Sequence, residues 1–346
     1  MKINIYSDKF SGTLTASEVL AEIKTIFRNA SIQASYFPVT DGGEDSTEIL
    51  KHYNIPIQHT LMKRDFVGNW IPAEFLKINN EIYFESAKLI GINNSSHHSF
   101  DLSSAALSQV IDEVDVLSLG GSKTVDGGIG LLSARGVDFY SNEGIISDPK
   151  PRDFMDITSV KISDSFKPVE LTVLTDTSIS LLGNNSAISA YGPQKGLNKK
   201  EIKQVEIHLE RIFDMLSGEL GVHLDPSSEN TGAAGGLSFV LGKVLGCNVI
   251  SGSEYFLKVT NLSRKIQRGE ISIVCEGKFD RTSLRGKVIG EILKHVEGEK
   301  YFLGGQYDYI DDNDFNGIFE CGPKGLANPK EELRNSARKL VKQISI

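Results

Sequence analysis

At 346 residues the chain is longer than one hydrophobic core usually supports, so its length predicts two domains. Hydrophobic residues make up 40% of it and charged residues 24%, the composition of an ordinary globular protein. The formal net charge of −8 argues against a nucleic-acid or acidic-membrane partner, because both require a basic face. Three widely spaced cysteines and the lack of a long apolar segment predict a cytoplasmic protein, neither exported nor anchored, with buried thiols.

The chain begins with a predicted strand, helix and second strand. Residues 2–6 have a strand pattern, and Thr15 and Glu18 have the spacing of a capping box before a helix with one apolar face. The second strand, residues 34–39, ends at a Gly-Gly turn. Parallel α/β sheets carry their sites at the carboxyl ends of strands, so several polar residues are expected at one sheet edge. These residues are Asp8, Lys9, Asp41, Gly42, Gly43 and Glu44.

The pattern changes between residues 55 and 87, where short strands alternate with turn signals at residues 68–69 and 79–80. This pattern indicates an antiparallel meander in a different domain. Trp70 is predicted to pack in the core or at the sheet edge, and His97 and His98 to lie in a solvated loop. A helix near residues 104–114 is expected to follow.

A buried strand at residues 115–119 leads into a glycine-rich turn and then into a helix. Glycines at a strand-to-helix turn let backbone N–H groups approach a phosphate, and the helix N-terminus adds partial positive charge. A structural turn is the alternative for such a segment taken alone. Lys123 would supply a mobile cation, and Asp126 a carboxylate for a metal or a hydroxyl proton. The turn glycines and serine are Gly120, Gly121, Ser122, Gly127 and Gly128.

The second half of the chain repeats this arrangement of strand ends and polar residues. Asn198 and Glu201 predict the start of a long helix, and a glycine-rich loop at residues 231–236 is read as a close-packing or ligand-binding element. A buried strand at residues 271–275 precedes a further acidic and basic segment. The candidate residues here are Asp176, Lys195, Gly235, Gly236, Glu276, Lys278, Asp280 and Lys287.

Alternating strands and helices at both chain ends, with a different pattern between them, predict one α/β domain interrupted by a second. The predicted boundaries are residues 1–50 and 265–346 for the first domain and residues 51–264 for the inserted one. Carboxylates suit Mg²⁺, and phosphoryl transfer requires mainly charge neutralisation and alignment by lysines and N–H groups. Neither the GxxxxGK[ST] motif nor GxGxxG is present, so a kinase of another architecture is predicted.

Six motifs, in order along nearly the whole chain, resemble those of the class I glycerate kinases, which phosphorylate D-glycerate with ATP and Mg²⁺. They are Asp8-Lys-Phe-Ser-Gly-Thr-Leu-Thr-Ala16, Thr40-Asp-Gly-Gly-Glu44, residues 119–130, Tyr191-Gly-Pro-Gln-Lys-Gly196, residues 232–237 and Glu276-Gly-Lys-Phe-Asp280. The resemblance implies a flavodoxin-like parallel α/β domain built from both chain ends, an inserted second α/β domain, and a site in the cleft between them.

The chain departs from the family pattern at several positions. Ser11 stands where the first family loop has a second lysine, and Lys123 and Val125 replace the alanine and asparagine of A-T-N-D. Lys9 or Lys123 would restore the missing charge from a neighbouring position. Two alternatives therefore stay open: a kinase for another small hydroxy or sugar acid, and a catalytically lapsed ligand-binding homologue.

These residues suggest a mechanism with ATP as co-substrate and Mg²⁺ as cofactor. Asp41 or Asp126 would take the proton of the acceptor hydroxyl, while Lys9 and Lys195 neutralise the substrate carboxylate and the moving phosphoryl group. Mg²⁺ would be held by Asp176 or Glu276 together with Asp280. The expected partners are a small hydroxy acid and a nucleotide, without nucleic acid or membrane; the sequence leaves the oligomeric state open.

Overall fold

A computed structural model describes residues 2–266, 270–284, 286–308 and 315–345. Contacts between residues divide the chain into two compact units. Unit 1 consists of Met1–Asp41, Glu48–Asn54 and Ser251–Ile346, and unit 2 of Gly42–Thr47 and Ile55–Ile250. Residues 51–54 and 251–264, which the sequence placed in the inserted domain, thus belong to unit 1, and Gly42–Thr47, which it placed in the first domain, belong to unit 2. The division into domains stays a prediction.

The elements alternate between strands and helices over most of the described chain. The strands are β1 (Ile3–Ser7), β2 (Ala34–Pro38), β3 (Ile57–Arg64), β4 (Trp70–Ile78), β5 (Glu81–Glu85), β6 (Val116–Ser118), β7 (Val137–Ser141), β8 (Gly144–Ile145), β9 (Ser159–Ile162), β10 (Thr172–Leu174), β11 (Asn248–Ile250), β12 (Ile271–Cys275), β13 (Lys278–Phe279), β14 (Glu299–Gly304), β15 (Gln306–Tyr307) and β16 (Gly317–Glu320). The α-helices are α1 (Ala16–Asn29), α2 (Ser46–His52), α3 (Ala87–Ile90), α4 (Ile129–Ala134), α5 (Ala187–Tyr191), α6 (Lys199–Leu220), α7 (Leu237–Phe239), α8 (Gly252–Val259), α9 (Ser263–Ile266), α10 (Val288–Lys294) and α11 (Pro329–Ile344).

Unit 1 contains a five-stranded parallel sheet with the order β16-β14-β12-β1-β2. Counted within the unit, this order is 2-1-3-4-5, which is the flavodoxin-like order. Helices α1 and α11 pack apolar faces into a core with the sheet, and the Thr15–Glu18 capping box at the start of α1 is confirmed. The predicted parallel α/β class is therefore confirmed, and the flavodoxin-like order follows from the strand pairing.

Unit 2 is organised around a six-stranded mixed sheet with the order β11-β10-β6-β5-β4-β3. Strands β5, β6, β10 and β11 run parallel, whereas β3 and β4 form the predicted antiparallel meander. A smaller antiparallel sheet has the order β8-β7-β9. One large apolar cluster, which includes Phe84, Leu117 and Leu209, fills the unit.

Three local predictions have clear outcomes. The long helix α6 begins at the predicted cap, with Asn198 and Glu201 forming a capping box. A helix begins at Ser104, as expected, but it is a 3₁₀ helix and ends at Gln109 rather than near residue 114. Trp70 is 58% exposed, and the guanidinium of Arg64 lies over its ring, so its core placement is wrong. Trp70 begins β4, which lies between β3 and β5, so its edge placement is not confirmed either.

Burial agrees with a further prediction, that of buried thiols. Cys247, Cys275 and Cys321 are all buried and free, as expected. Among the described residues, none of the helices has the length and apolar character needed to cross a membrane.

Candidate active site

In unit 1, three predicted acidic residues lie at the carboxyl ends of adjacent parallel strands. Asp8 follows β1, Asp41 follows β2 by three residues, and Glu276 follows β12 directly. Ser7 pairs with Cys275, and the N–H of Asp8 donates to the carbonyl of Cys275 at 3.0 Å, which places Asp8 beside Glu276. Strands β1 and β12 flank the point where the strand order reverses, and ligands of open α/β sheets bind at this crevice.

Burial raises the pKa values of two carboxyl groups at this edge. Burial, with repulsion from Asp41, raises the pKa of Asp8 to about 7, although Lys9 opposes the shift. Burial also raises the pKa of Glu276 to about 8, against the attraction of Lys287, whose Nζ lies 3.8 Å from Oε1 of Glu276. Such displaced pKa values are typical of binding or catalytic groups.

Glu276 has one oxygen without a partner in the described part of the chain. The residue is 6% exposed, and its Oε2 accepts no hydrogen bond from any described group. A buried acceptor without a donor costs free energy, so a native protein usually supplies it with water, an ion or a ligand. The oxygen is therefore a candidate ligand for a cation.

The other predicted unit 1 residues lie after β12. Asp280 accepts hydrogen bonds at Oδ1 from the N–H and hydroxyl of Thr282, at 2.8 and 2.6 Å. Burial alone would raise the pKa of Asp280, but these hydrogen bonds and two lysines hold it below its usual value. Exposed Lys278 contacts Asp280 at 3.6 Å and Asp308 at 3.1 Å. Lys278 thus forms ion pairs with Asp280 and Asp308, whereas Lys287 contacts Glu276.

In unit 2, two predicted glycine loops pack directly against each other. A Cβ atom added to Gly120 would lie 2.6 Å from Cα of Gly43, and one added to Gly121 would collide with the Glu44 carboxylate. Gly120 and Gly121 are half-buried, whereas Gly42 and Gly43 are buried. The absence of side chains at Gly120 and Gly121 therefore permits this approach, and it leaves part of the loop accessible.

Lys195 lies beneath the same glycine turn. The residue is 7% exposed, and its Nζ donates to Oγ of Ser122 at 3.1 Å and to the carbonyl of Thr124 at 2.9 Å. Burial lowers the pKa of Lys195 to about 7, and the nearby Asp126 opposes this shift. The two hydrogen bonds from the lysine hold the turn in place.

Asp126 is enclosed by hydrogen-bond donors. Its Oδ2 accepts from the N–H of Ser104 at 2.8 Å, from the hydroxyl of Ser104 at 2.7 Å and from the N–H of Gly130 at 3.1 Å. Its Oδ1 accepts from the N–H of Gly128 at 3.3 Å, and the residue is fully buried. Burial raises the pKa of Asp126, while these hydrogen bonds lower it. The carboxylate joins the starts of two short helices, a contact with Ser104 that no sequence pattern indicated.

The remaining predicted glycines are part of the packed interior of unit 2. The N–H of Gly127 donates to the carbonyl of Gly235 at 2.9 Å, and Gly236 packs on Cα of Gly127. A Cβ atom on Gly128 would lie 2.8 Å from Cβ of Val240. Gly127, Gly128, Gly235 and Gly236 are all buried, so close packing accounts for them.

Two predicted residues of unit 2 have separate surroundings. The Nζ of Lys123 donates to the carbonyl of Ser95, so the positive charge that replaces an alanine of the family motif contacts the loop of residues 91–98. Asp176 is half-buried and follows β10 by two residues, at the same sheet edge as Gly120. His97 and His98 are exposed in their loop, as predicted.

The chain is similar to known proteins over nearly its whole length. The model of the glycerate kinase family matches residues 3–340. The chain belongs to the glycerate kinase family. A glycerate kinase of Neisseria meningitidis serogroup B is 26% identical over 306 residues, which cover 83% of this chain and 80% of that protein. A glycerate 2-kinase of Escherichia coli K12 is 28% identical over 308 residues, with coverage of 83% and 80%.

A solved structure has the same fold. It is assigned as glycerate kinase 2 of Salmonella typhimurium LT2, and it matches with a TM-score of 0.69 and 23% identity. The match covers 100% of this chain and 98% of that one. The predicted fold class and the predicted family are both confirmed, and membership of the glycerate kinase family identifies the protein as a kinase.

Proposed function

We propose that this kinase transfers the γ-phosphoryl group of ATP to a hydroxyl of D-glycerate, with Mg²⁺ as cofactor. The observation that carries the proposal is the position of Asp8 and Glu276 on either side of the strand-order reversal in unit 1. Relatives that are named glycerate kinases share 26% and 28% of their aligned residues with this chain, which supports the choice of acceptor.

The residues at the end of β12 fit a magnesium ion. Glu276 has a buried oxygen without a donor, and Asp280 has an ionised carboxylate nearby. Among the described residues there is no group of three or more His, Cys, Asp or Glu side chains that could hold a metal ion. Mg²⁺ commonly binds one or two carboxylates together with water and phosphate oxygens. We assign Glu276 and Asp280 as its ligands, with Asp176 as the alternative in unit 2. When bound, the ion neutralises charge on the phosphate oxygens.

Asp41 is the better candidate for the base of the two that the sequence suggests. Asp41 is half-buried at a strand end, whereas Asp126 is fully buried and accepts four hydrogen bonds. A base must reach the proton of the acceptor hydroxyl, so we assign that role to Asp41 and a positioning role to Asp126.

The glycine turn and the lysines receive separate assignments. We assign the half-buried Gly120 and Gly121 with Ser122 to the nucleotide phosphates, and Lys195 to the support of that turn. Lys9 and Lys287, which interact with Asp8 and Glu276, are assigned to the substrate carboxylate and the transferred phosphoryl group.

Three buried free thiols are compatible with the proposed cytoplasmic location.

A coupled assay of ADP release tests the substrate. The purified protein is supplied with ATP and Mg²⁺ and with D-glycerate, L-glycerate, glycolate, D-lactate or a sugar acid in turn. We expect the highest kcat/KM with D-glycerate, because both its carboxylate and its hydroxyls match the assigned groups. A higher kcat/KM with another acid would reassign the acceptor, and the lack of ADP release with every acid would reject the proposed kinase reaction.

A further inference from the structure

Glu85 is a buried carboxylate that the reaction scheme above does not use. It is the last residue of β5, is 2% exposed and pairs with Ser118, the last residue of β6. Gly120 follows Ser118 by two residues, so Glu85 lies at the same sheet edge as the glycine turn. The sequence places the acidic Glu85 at the end of a strand, but no motif spacing indicates which groups donate hydrogen bonds to it.

The Glu85 carboxylate binds the three residues that follow Glu44. Its Oε1 accepts from the N–H of Asp45 at 3.1 Å. Its Oε2 accepts from the hydroxyl of Ser46 at 3.2 Å and from the N–H of Thr47 at 2.9 Å. Three donors from consecutive residues converge on this one side chain, so the contact fixes the end of the Gly42–Glu44 loop.

A chain of hydroxyl groups fastens the same segment to the sheet. The hydroxyl of Ser46 lies 2.6 Å from that of Tyr83, and the Tyr83 hydroxyl lies 2.8 Å from that of Ser118. Strands β5 and β6 therefore both contact the residues after Glu44.

The backbone of Asp45 is in an unfavourable conformation. Its φ of 71° is in the left-handed region, which residues other than glycine enter at a cost. The hydrogen bond from its N–H to Glu85 holds the residue there. Such local strain persists only where the surroundings hold it.

The loop that precedes Asp45 has little room for displacement. Gly43 and Glu44 contact the positions at which Gly120 and Gly121 would carry side chains. A change in the path of the chain at Asp45 would therefore alter the contact between the two glycine loops.

From these contacts we infer that Glu85 is a positioning residue, which sets the Gly42–Glu44 loop against Gly120 and Gly121. The inference rests on the proposed function of those loops in binding phosphate and substrate. Glu85 touches neither ligand in this scheme, and it acts through the backbone of Asp45 and Thr47.

The Glu85→Gln variant tests the inference, with Asp65→Asn as a matched control. Asp65 is 5% exposed and also binds a turn, with Oδ1 accepting from the N–H groups of Val67 and Asn69 at 3.0 and 2.8 Å. Glutamine has an NH₂ group in place of one carboxylate oxygen. This NH₂ group would face an N–H group of Asp45 or Thr47, which is also a donor. We expect Tm to fall in both variants, but kcat/KM for D-glycerate to fall about 10- to 100-fold only in Glu85→Gln. Equal kcat/KM in the two variants would overturn the inference.

A rescue variant separates positioning from general destabilisation. Glycine adopts φ of 71° without a side-chain cost, so adding Asp45→Gly to Glu85→Gln should restore most of the lost kcat/KM. Asp45→Gly alone should retain nearly wild-type activity. Failure of the double variant to regain activity, with its Tm unchanged from Glu85→Gln, would count against the role of the Asp45 backbone.

Amide hydrogen exchange gives a readout that needs no substrate. Glu85→Gln should speed exchange at the N–H groups of Asp45 and Thr47, and Asp65→Asn should not. If wild-type protein releases no ADP, the proposed function fails, while the exchange data still decide whether Glu85 fixes this loop. Unchanged exchange in Glu85→Gln would reject the positioning role in either case.

Discussion

Three carboxylates with the same predicted chemistry have different surroundings. Asp126 is enclosed by donors, Glu276 is buried with an unpartnered oxygen, and Asp41 is half-buried at a strand end. A sequence shows residue type and spacing, but the donors around a carboxylate come from distant segments, as Ser104 does for Asp126. The position of these residues at strand ends was therefore predictable, and their individual roles were not.

Lys195 should make stability depend on pH. Burial lowers its pKa from 10.5 to about 7, so between these values the unfolded chain binds more protons than the folded one. The lysine therefore destabilises the fold most below about pH 7, and the penalty is relieved as pH rises toward 10.5. We expect the free energy of unfolding in urea to rise between pH 7 and pH 9.5 by about 1–3 kcal/mol more in wild type than in Lys195→Met.

Lys195→Met is the suitable comparison because methionine fills a similar volume without a titrating group. Groups that do not interact with Lys195 contribute equally to both curves, so the difference between the curves reports on Lys195 and its neighbour Asp126. A difference that stays constant across this pH range would mean that Lys195 keeps an ordinary pKa in the folded state.

Among the loops and helices, short sequence patterns correctly predicted where α1 and α6 begin and where the turns of the meander lie. The caps of α1 and α6 and the turns of the meander depend on a few neighbouring residues, which a sequence displays directly. The helix expected near residues 104–114 is shorter than predicted and has 3₁₀ geometry over Ser104–Gln109. Its first residue, Ser104, donates two hydrogen bonds to Asp126, a contact between segments that are distant in the sequence and that no local pattern indicated.

The close approach of two glycine loops gives a prediction at this scale. In Gly120→Ala the new Cβ would lie 2.6 Å from Cα of Gly43, a backbone atom that cannot rotate away. We expect the loops to separate and kcat/KM for D-glycerate to fall about 10- to 100-fold, as measured by ADP release. Gly242→Ala is the control, since its Cβ would meet only a methyl group of Val249 at 2.9 Å. Equal activity in the two variants would show that the contact has no part in the reaction.

For the whole molecule, the alternation of strands and helices predicted the class of fold. The order of the unit 1 sheet, with β12 beside β1, depends on pairing between residues 268 positions apart, which periodicity alone does not reveal. Motif resemblance supplied that information at the sequence level, and the strand order agrees with it. The packing roles of Gly127, Gly128, Gly235 and Gly236 became apparent only from the neighbours that surround them.

The central claim is that Glu276 holds the magnesium ion of a phosphoryl-transfer reaction. The most direct test is the Mg²⁺ concentration that gives half-maximal ADP release from ATP and D-glycerate, compared between wild type and Glu276→Gln. Because glutamine removes the charge of the proposed ligand, we expect this concentration to rise about tenfold or more. Mg²⁺ alone should also raise the Tm of wild type at pH 8 and leave that of Glu276→Gln unchanged. An identical Mg²⁺ requirement in both proteins would contradict the account.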